Sequence, residues 1–557
     1  MRAFLGVVLV AVTSVAPVAA AIWRSDATFT NANPSTPGAD PSVIYDEKSK
    51  LYYAYSTDGA DAGWQFGIYQ SPDLTTWTKV PGGAIKVANE SRIWAEDWLW
   101  APEVYYNKRT SWYFLFHAGK YNDPLKVAAN FKYPDFEEAS KVGVAVSRSP
   151  NGPFVNIEQR PIDYYPFDPD YNDVNLLMQP PYLLPPTTRE AGESAPLGTY
   201  IPFIDPNLHF ESDNEIYLFF SRNAYRNWVW DYQYSRYIEE SNIYGVRLDA
   251  AWWNDPSAKI MPVVHKSFRD THKGQPANWE TSVNASFPGP TRKDGWTAVI
   301  SYKMQPQVWE NAHVNDNVAS GGTKKNRRWA EGSTTIKRRD SSGDPVYYLT
   351  YSANNFESPD YGVGYAYSDK VLGPYVKSKS NPILSQDPSK SIYSTGHGSI
   401  VSAQGKNKEL YYVHHARPST TATRYLYTAR LFVEADSLYM GFGSNAGDLR
   451  VPSGVAPYSI AAKKTAGSQW SVQVKSSGGT ALDLSNPKNR LYAWVEGADA
   501  QVSVEGGKVT VTGGAAKAKL FVQYQTARWN ATEPWANVTQ TQQLGKSWTA
   551  VQTTLTL

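Results

Sequence analysis

The chain has 557 residues, enough for more than one domain with its own core. Its 54 basic and 52 acidic residues nearly cancel, which leaves no electrostatic basis for a nucleic-acid partner or an anionic membrane. There is no cysteine, so disulfides, thiolate nucleophiles and Cys-ligated metals are excluded together, while 20 Trp and 38 Tyr could serve strand cores or platforms for sugar faces.

Arg2 precedes the apolar run AFLGVVLVAVTSVAPVAAA, which ends in small residues at Ala19–Ala21. Residues 1–21 are therefore expected to be a signal peptide, and the protein secreted and extracellular. A membrane anchor is the alternative, but Thr13, Ser14 and Pro17 interrupt the run and no basic stop signal follows. Sequons at Asn89, Asn284, Asn530 and Asn537 fit a secreted glycoprotein.

Beyond the leader one pattern recurs: a short apolar strand, a polar turn, then a strand rich in Tyr, Phe and Leu. It appears as GADPSVIYDEKSKLYYAYST (38–57) and WAPEVYYNKRTSWYFLFHA (100–118). After a Pro-rich insertion over about 155–200 it returns as DPNLHFESDNEIYLFFS (205–221), EGSTTIKRRDSSGDPVYYLTYSA (331–353) and GHGSIVSAQGKNKELYYVHHA (396–416). A further strand follows each copy, as in FGIYQSPDLTTW and VGYAYSDKVLGPY. A repeating four-stranded unit is the mark of a β-propeller blade, so an all-β, five-bladed β-propeller is expected over 22–445. Residues 446–557 change character, with short alternating strands and Gly-rich turns, and read as a C-terminal β-sandwich accessory domain.

Aligned on the shared pattern, Asp40, Asp205, Glu331 and His397 fall at one position, with Ala101 in the second copy. The first strand of each blade lines a propeller's channel, so these residues form a ring at one mouth. Crowded carboxylates repel, and one of them should keep its proton at neutral pH. A protonated acid beside an ionised one is what glycosidic bond cleavage requires. An inverting reaction needs the pair roughly 6.5–9.5 Å apart, a retaining one roughly 5–5.5 Å. Trp100 and Trp329, next to ring positions, are the candidate sugar platforms, and Trp64, Trp94, Trp98, Trp228 and Trp230 are further candidates to widen the cleft.

GADPSV, IDPNLHF, AEGSTTIKR and STGHGSIV, in that order, resemble the motifs of family 43 glycoside hydrolases across the propeller. The resemblance implies an inverting mechanism, often on arabinose- or xylose-containing polysaccharide. It implies Asp40 as general base, Glu331 as general acid and Asp205 as modulator of the acid's pKa. His397 resembles the family's channel histidine, which in some members helps to hold a calcium ion or a water; a hydrogen-bonded core histidine is the other reading. Arg417 in HHARP resembles an arginine that contacts sugar in relatives, against a purely structural arginine. No cofactor is expected to be required, and any channel calcium would be structural. The expected protein is a monomeric α-L-arabinofuranosidase acting on arabinoxylan or arabinan. A β-xylosidase, an endo-arabinanase and a non-catalytic sugar-binding propeller are the alternatives.

Overall fold

In the computed structural model the described residues are 23–24, 28–29 and most of 36–557; the longest stretches outside them are 1–22, 126–139, 266–296 and 529–549. The expected signal peptide and all four sequons lie outside the described residues. Among the described residues no helix is long and apolar enough to cross a membrane.

Five four-stranded antiparallel blades follow one another along the chain. Blade one is built from Ser42–Asp46, Leu51–Ser56, Gly67–Ser71 and Thr78–Val80. Blade two uses Asp97–Asn107, Trp112–Lys120, Lys141–Ser147 and Val155–Asn156. Blade three uses Phe203–Ser212, Glu215–Arg222, Arg236–Leu248 and Thr297–Ile300. Blade four has Arg327–Arg339, Pro345–Ala353, Gly362–Ser368 and Val376–Lys377, and blade five has Tyr393–Ser402, Leu410–Arg417, Tyr425–Glu434 and Ser437–Gly441.

The second strands explain the Tyr- and Phe-rich runs. Side chains alternate across a strand, and here both faces are buried, each against a different neighbouring blade. Tyr53 and Tyr55 pack toward blade two, whereas Tyr52 and Ala54 pack toward blade five. Phe114 and Phe116 join Leu208, Leu218 and Phe220 of blade three, while Phe219 turns the other way to meet Leu349 of blade four. Tyr348 and Tyr412 fill the interface between blades four and five. One apolar cluster thus lies between every adjacent pair of blades, including the last and the first. The innermost strands touch in the same cyclic order. Closure is reinforced by the segment before blade one, where Leu426 N–H donates to Thr36 O (2.9 Å) and Gly38 N–H to Arg424 O (3.0 Å).

Around the channel the inner strands are stitched by side chains. Ser42 Oγ accepts Val104 N–H (3.1 Å), Tyr105 OH accepts Leu208 N–H (2.7 Å), and Asn207 Oδ1 accepts Thr335 N–H (3.2 Å). Thr334 Oγ1 donates to Gly398 O (2.8 Å) and Ser399 Oγ accepts Val43 N–H (2.9 Å), completing the circle. These bonds use backbone groups that would otherwise be buried without partners.

The channel-mouth position has a distinct backbone. Asp40, Ala101, Asp205 and His397 all have left-handed φ, between 39° and 53°, and in blade four the matching residue is Gly332 at 60°. In blades two to five the pairing skips two residues there: between Trp100 and Glu103, Ile204 and Asn207, Glu331 and Thr334, and Gly396 and Ser399. Each is a β-bulge, which leaves residues out of the ladder and re-aims a side chain. The Asp-Pro and Ala-Pro pairs follow from this, because the second bulge residue has no ladder bond to donate and proline has no N–H to give. Blade four departs from the sequence alignment here: Glu331 sits one residue before the bulge, equivalent to Trp100 and Ile204 rather than to Asp40 and Asp205.

After the propeller, Pro457–Ala466, Gln469–Ser476, Lys508–Gly513 and Ala500–Glu505 form one sheet, and Arg490–Glu496, Lys519–Gln525 and Ala550–Thr556 form another. Trp470, Val474, Val509, Leu520 and Val522 fill the core of this C-terminal β-sandwich.

The tightest backbone approach in the mouth gives a stability prediction. A Cβ on Gly398 would lie 2.2 Å from Val413 O and 2.7 Å from His414 Cβ, and a strand carbonyl cannot swing aside. We expect Gly398→Ala to cost about 1–3 kcal/mol by overpacking. Thermal unfolding of the variant checks this, and an unchanged midpoint contradicts it.

Candidate active site

Asp40, Asp205, Glu331 and His397 come together on the floor of a cleft of about 730 Å³. All four are nearly buried, so their charges must be matched locally.

Asp40 is held as a carboxylate from several sides. Arg424 Nη1 donates to Oδ1 and Oδ2 (3.1 and 3.3 Å), and Thr57 Oγ1 donates to Oδ2 (2.8 Å). His397 Nδ1 lies 3.2 Å from Oδ1. Burial by itself would push the carboxyl up, but Arg424 and then His397 hold it well below the usual carboxylate range. The backbone N–H of Asp40 donates to Nδ1 of the neutral, buried His415 (3.2 Å). Each remaining captured ring N–H is likewise held from the preceding blade: Ala101 by Thr57 Oγ1 (2.9 Å), Gly332 by Ser221 Oγ (3.1 Å) and His397 by Ser352 Oγ (2.7 Å).

Glu331 has the opposite character. Trp329 Nε1–H donates to Oε2 (2.7 Å) and Tyr361 O–H to Oε1 (2.8 Å). Burial, then the neighbouring Asp205, push its pKa up to about 8, against the lowering effect of His397 and the two donors. Asp205 accepts from Ser221 Oγ (3.0 Å) and Gly332 N–H (3.2 Å). Burial and Asp40 raise it too, opposed by His397. Of this coupled pair Glu331 keeps the proton, because Asp205 has a backbone N–H and lies closer to the His397 field. His397 is pulled down by burial, yet Asp205 and Asp40 raise it to about 9, so it stands as a cation among the acids. Gly332 admits it: a Cβ there would lie 2.7 Å from His397 Cγ.

His397 therefore spends Nδ1 on Asp40. Among the described residues no group of three or more His, Asp or Glu side chains is arranged to hold a metal. No chemical step is routed through a channel calcium. Glu103, deeper in the channel, is raised to about 7 by burial although Ser42 Oγ donates to it (3.0 Å).

The walls are aromatic and polar. Trp100 and Trp329 both line the cleft. Trp100 stacks on Trp98 (5.0 Å between centroids, 15° between planes), and Lys120 Nζ lies 4.1 Å from the Trp98 ring. Rings that close leave no room for an ammonium between them, so Lys120 covers the far face and Trp98 backs Trp100. Trp94 is buried core rather than cleft, and Trp64 and Trp230 are not among the cleft-lining residues. Nothing is described for the Trp228 side chain.

Arg417 is not among the lining residues either; its guanidinium lies over Phe356 at 5.8 Å, while Arg424 lies over the same ring at 4.7 Å and reaches the cleft. Sequence reasoning missed Arg424, Tyr361 and Thr57. Arg424 immediately precedes the third strand of blade five, outside the first-strand pattern that was aligned, and only blade closure brings it to Asp40.

A model of glycosyl hydrolases family 43 matches residues 30–175 and 291–436. Among solved structures, a thermostable family-43 glycoside hydrolase is 23% identical (TM-score 0.48), covering 74% of this chain and 96% of its own. An endo-1,4-beta-xylanase from Bacteroides thetaiotaomicron VPI-5482 is 22% identical (TM-score 0.47; 75% and 97%), and an alpha-L-arabinofuranosidase from Lactobacillus brevis 14% (TM-score 0.44; 74% and 96%). No curated protein matches the chain.

A reaction that takes a proton at Asp40 and gives one from Glu331 runs only when the first is ionised and the second protonated. The rate should fall above a pKa of about 8, set by Glu331, and persist at low pH until Asp40, held below the usual range, protonates. Arg424→Met removes the cation at Asp40, and we expect the acid limb of kcat/KM to move up by roughly one unit or more. An acid limb that stays put in this variant removes Asp40 as its origin.

Proposed function

The chain belongs to glycosyl hydrolase family 43, whose members are inverting glycoside hydrolases, and from that premise we propose a secreted α-L-arabinofuranosidase that removes arabinose from arabinoxylan or arabinan. The observation that carries the reading is the pairing of an ionised Asp40 with a protonated Glu331 on the floor of a Trp-walled cleft.

In this reading the Glu331 proton passes to the glycosidic oxygen as the bond from that oxygen to the anomeric carbon breaks. A water attacks that carbon from the opposite face and its proton passes to Asp40. The sum is addition of one water with inverted configuration. Asp205 raises the proton affinity of Glu331 while Arg424 lowers that of Asp40, which keeps the two apart, and Trp100 and Trp329 offer apolar faces to the pentose rings. The reaction as proposed uses two carboxyl groups and water, and calls for no cofactor. The leader-like run at 1–21 supports secretion, and the neutral charge balance supports a sugar rather than a polyanionic partner.

The test is an assay on aryl α-L-arabinofuranoside, aryl β-xyloside, arabinan and arabinoxylan, with the product anomer followed by NMR. Arabinose released with inversion supports the proposal. Faster cleavage of the xyloside turns it into a β-xylosidase, and no cleavage at all defeats the hydrolase reading. Glu331→Ala should lose about 10²–10⁴-fold on polymer but much less on an aryl glycoside whose leaving group needs no proton. Equal losses on both would remove Glu331 as the acid.

A further inference from the structure

Glu331 and Trp329 lie two residues apart on one strand and so project to the same side. The indole donates to Oε2 at 2.7 Å while the ring lines the cleft. The other carboxyl oxygen is held by Tyr361, which is fully buried and stacked on His415 (5.7 Å between centroids, 9° between planes). Of the two donors, only Trp329 is therefore in reach of a sugar. Its ring is held by a neighbour that also lines the cleft: the Arg327 guanidinium lies 5.2 Å from the ring, and Arg327 Nε is anchored on the fully buried Glu239 (2.6 Å). The strand itself is pinned by Ser241 Oγ donating to Ala330 O (3.0 Å).

We propose that Trp329 is a positioning residue for the general acid, one whose indole N–H strengthens its bond to Glu331 as the carboxyl gives up its proton, while the ring receives the sugar. An indole N–H can only donate, so it never competes for the proton being transferred. As the proton leaves for the glycosidic oxygen, negative charge grows on the carboxyl. A donor already aimed at it favours the transition state over the ground state. The groups that face Glu331 are Asp205 from blade three, His397 and Arg424 from blade five, Tyr361 from blade four and Trp329 itself. None of the others both contacts the carboxyl and walls the cleft. The inference rests on Glu331 being the acid.

Trp329→Phe keeps an apolar ring and deletes the N–H. Loss of a donor to the charged form makes Glu331 a weaker acid, so the alkaline limb should move up by about one pH unit. The value of kcat should fall about 10–100-fold for aryl arabinofuranosides with poor leaving groups and far less for good ones, with KM changed less than about threefold. Trp329→Leu, which lacks any donor, should move the alkaline limb alike and covers the case of a misfolded Phe variant. An unmoved alkaline limb with only KM altered would make Trp329 a platform alone and overturn the proposal. Because wild type and Glu331→Ala are assayed beside it, failure of the acid assignment shows in those two proteins, whereas failure of this inference leaves them as expected.

Discussion

Everything at the mouth depends on a backbone that the chain would avoid in isolation. Left-handed φ at a non-glycine residue costs about 1–2 kcal/mol, and Asp40, Ala101, Asp205 and His397 all adopt it. At Asp40, Ala101 and His397 the cost is offset because a neighbouring blade catches the N–H group, through His415, Thr57 and Ser352 respectively. A blade alone would lack these acceptors. The strained ring therefore exists only in the closed propeller, and closure and site assembly are one event.

Closure also settles the electrostatics. Three acids so nearly buried would be prohibitive as three anions. The structure places the His397 cation among them and Arg424 against Asp40, and leaves Glu331 neutral. Two cations then face two carboxylates. The asymmetry that catalysis needs follows from which side chains each acid meets. Asp40 meets an arginine, and Glu331 meets two neutral donors and a neighbouring acid.

Much of this was legible in the letters. The five Tyr- and Phe-rich second strands read correctly as blade strands, since alternating side chains buried on both faces leave an unbroken apolar run. Asp40 and Asp205 were legible as equivalent positions, whereas the reason a proline follows each, a bulge beside a residue that need not donate, became visible only in the pairing. Glu331 was aligned one position out because Glu and Asp look interchangeable in a motif, whereas the left-handed backbone of blade four belongs to Gly332. Arg424 was passed over because a residue just before a third strand carries no local mark of contact with a residue 384 positions away.

The sequence by itself determined the repeat, the strand pattern and the presence of three acids and a histidine near one mouth, because these depend on local periodicity and residue type. Tertiary structure decided which acid is charged and which keeps its proton. That outcome depends on burial and on partners drawn from other blades, on Arg424 above all, and those partners meet only when blade five closes against blade one.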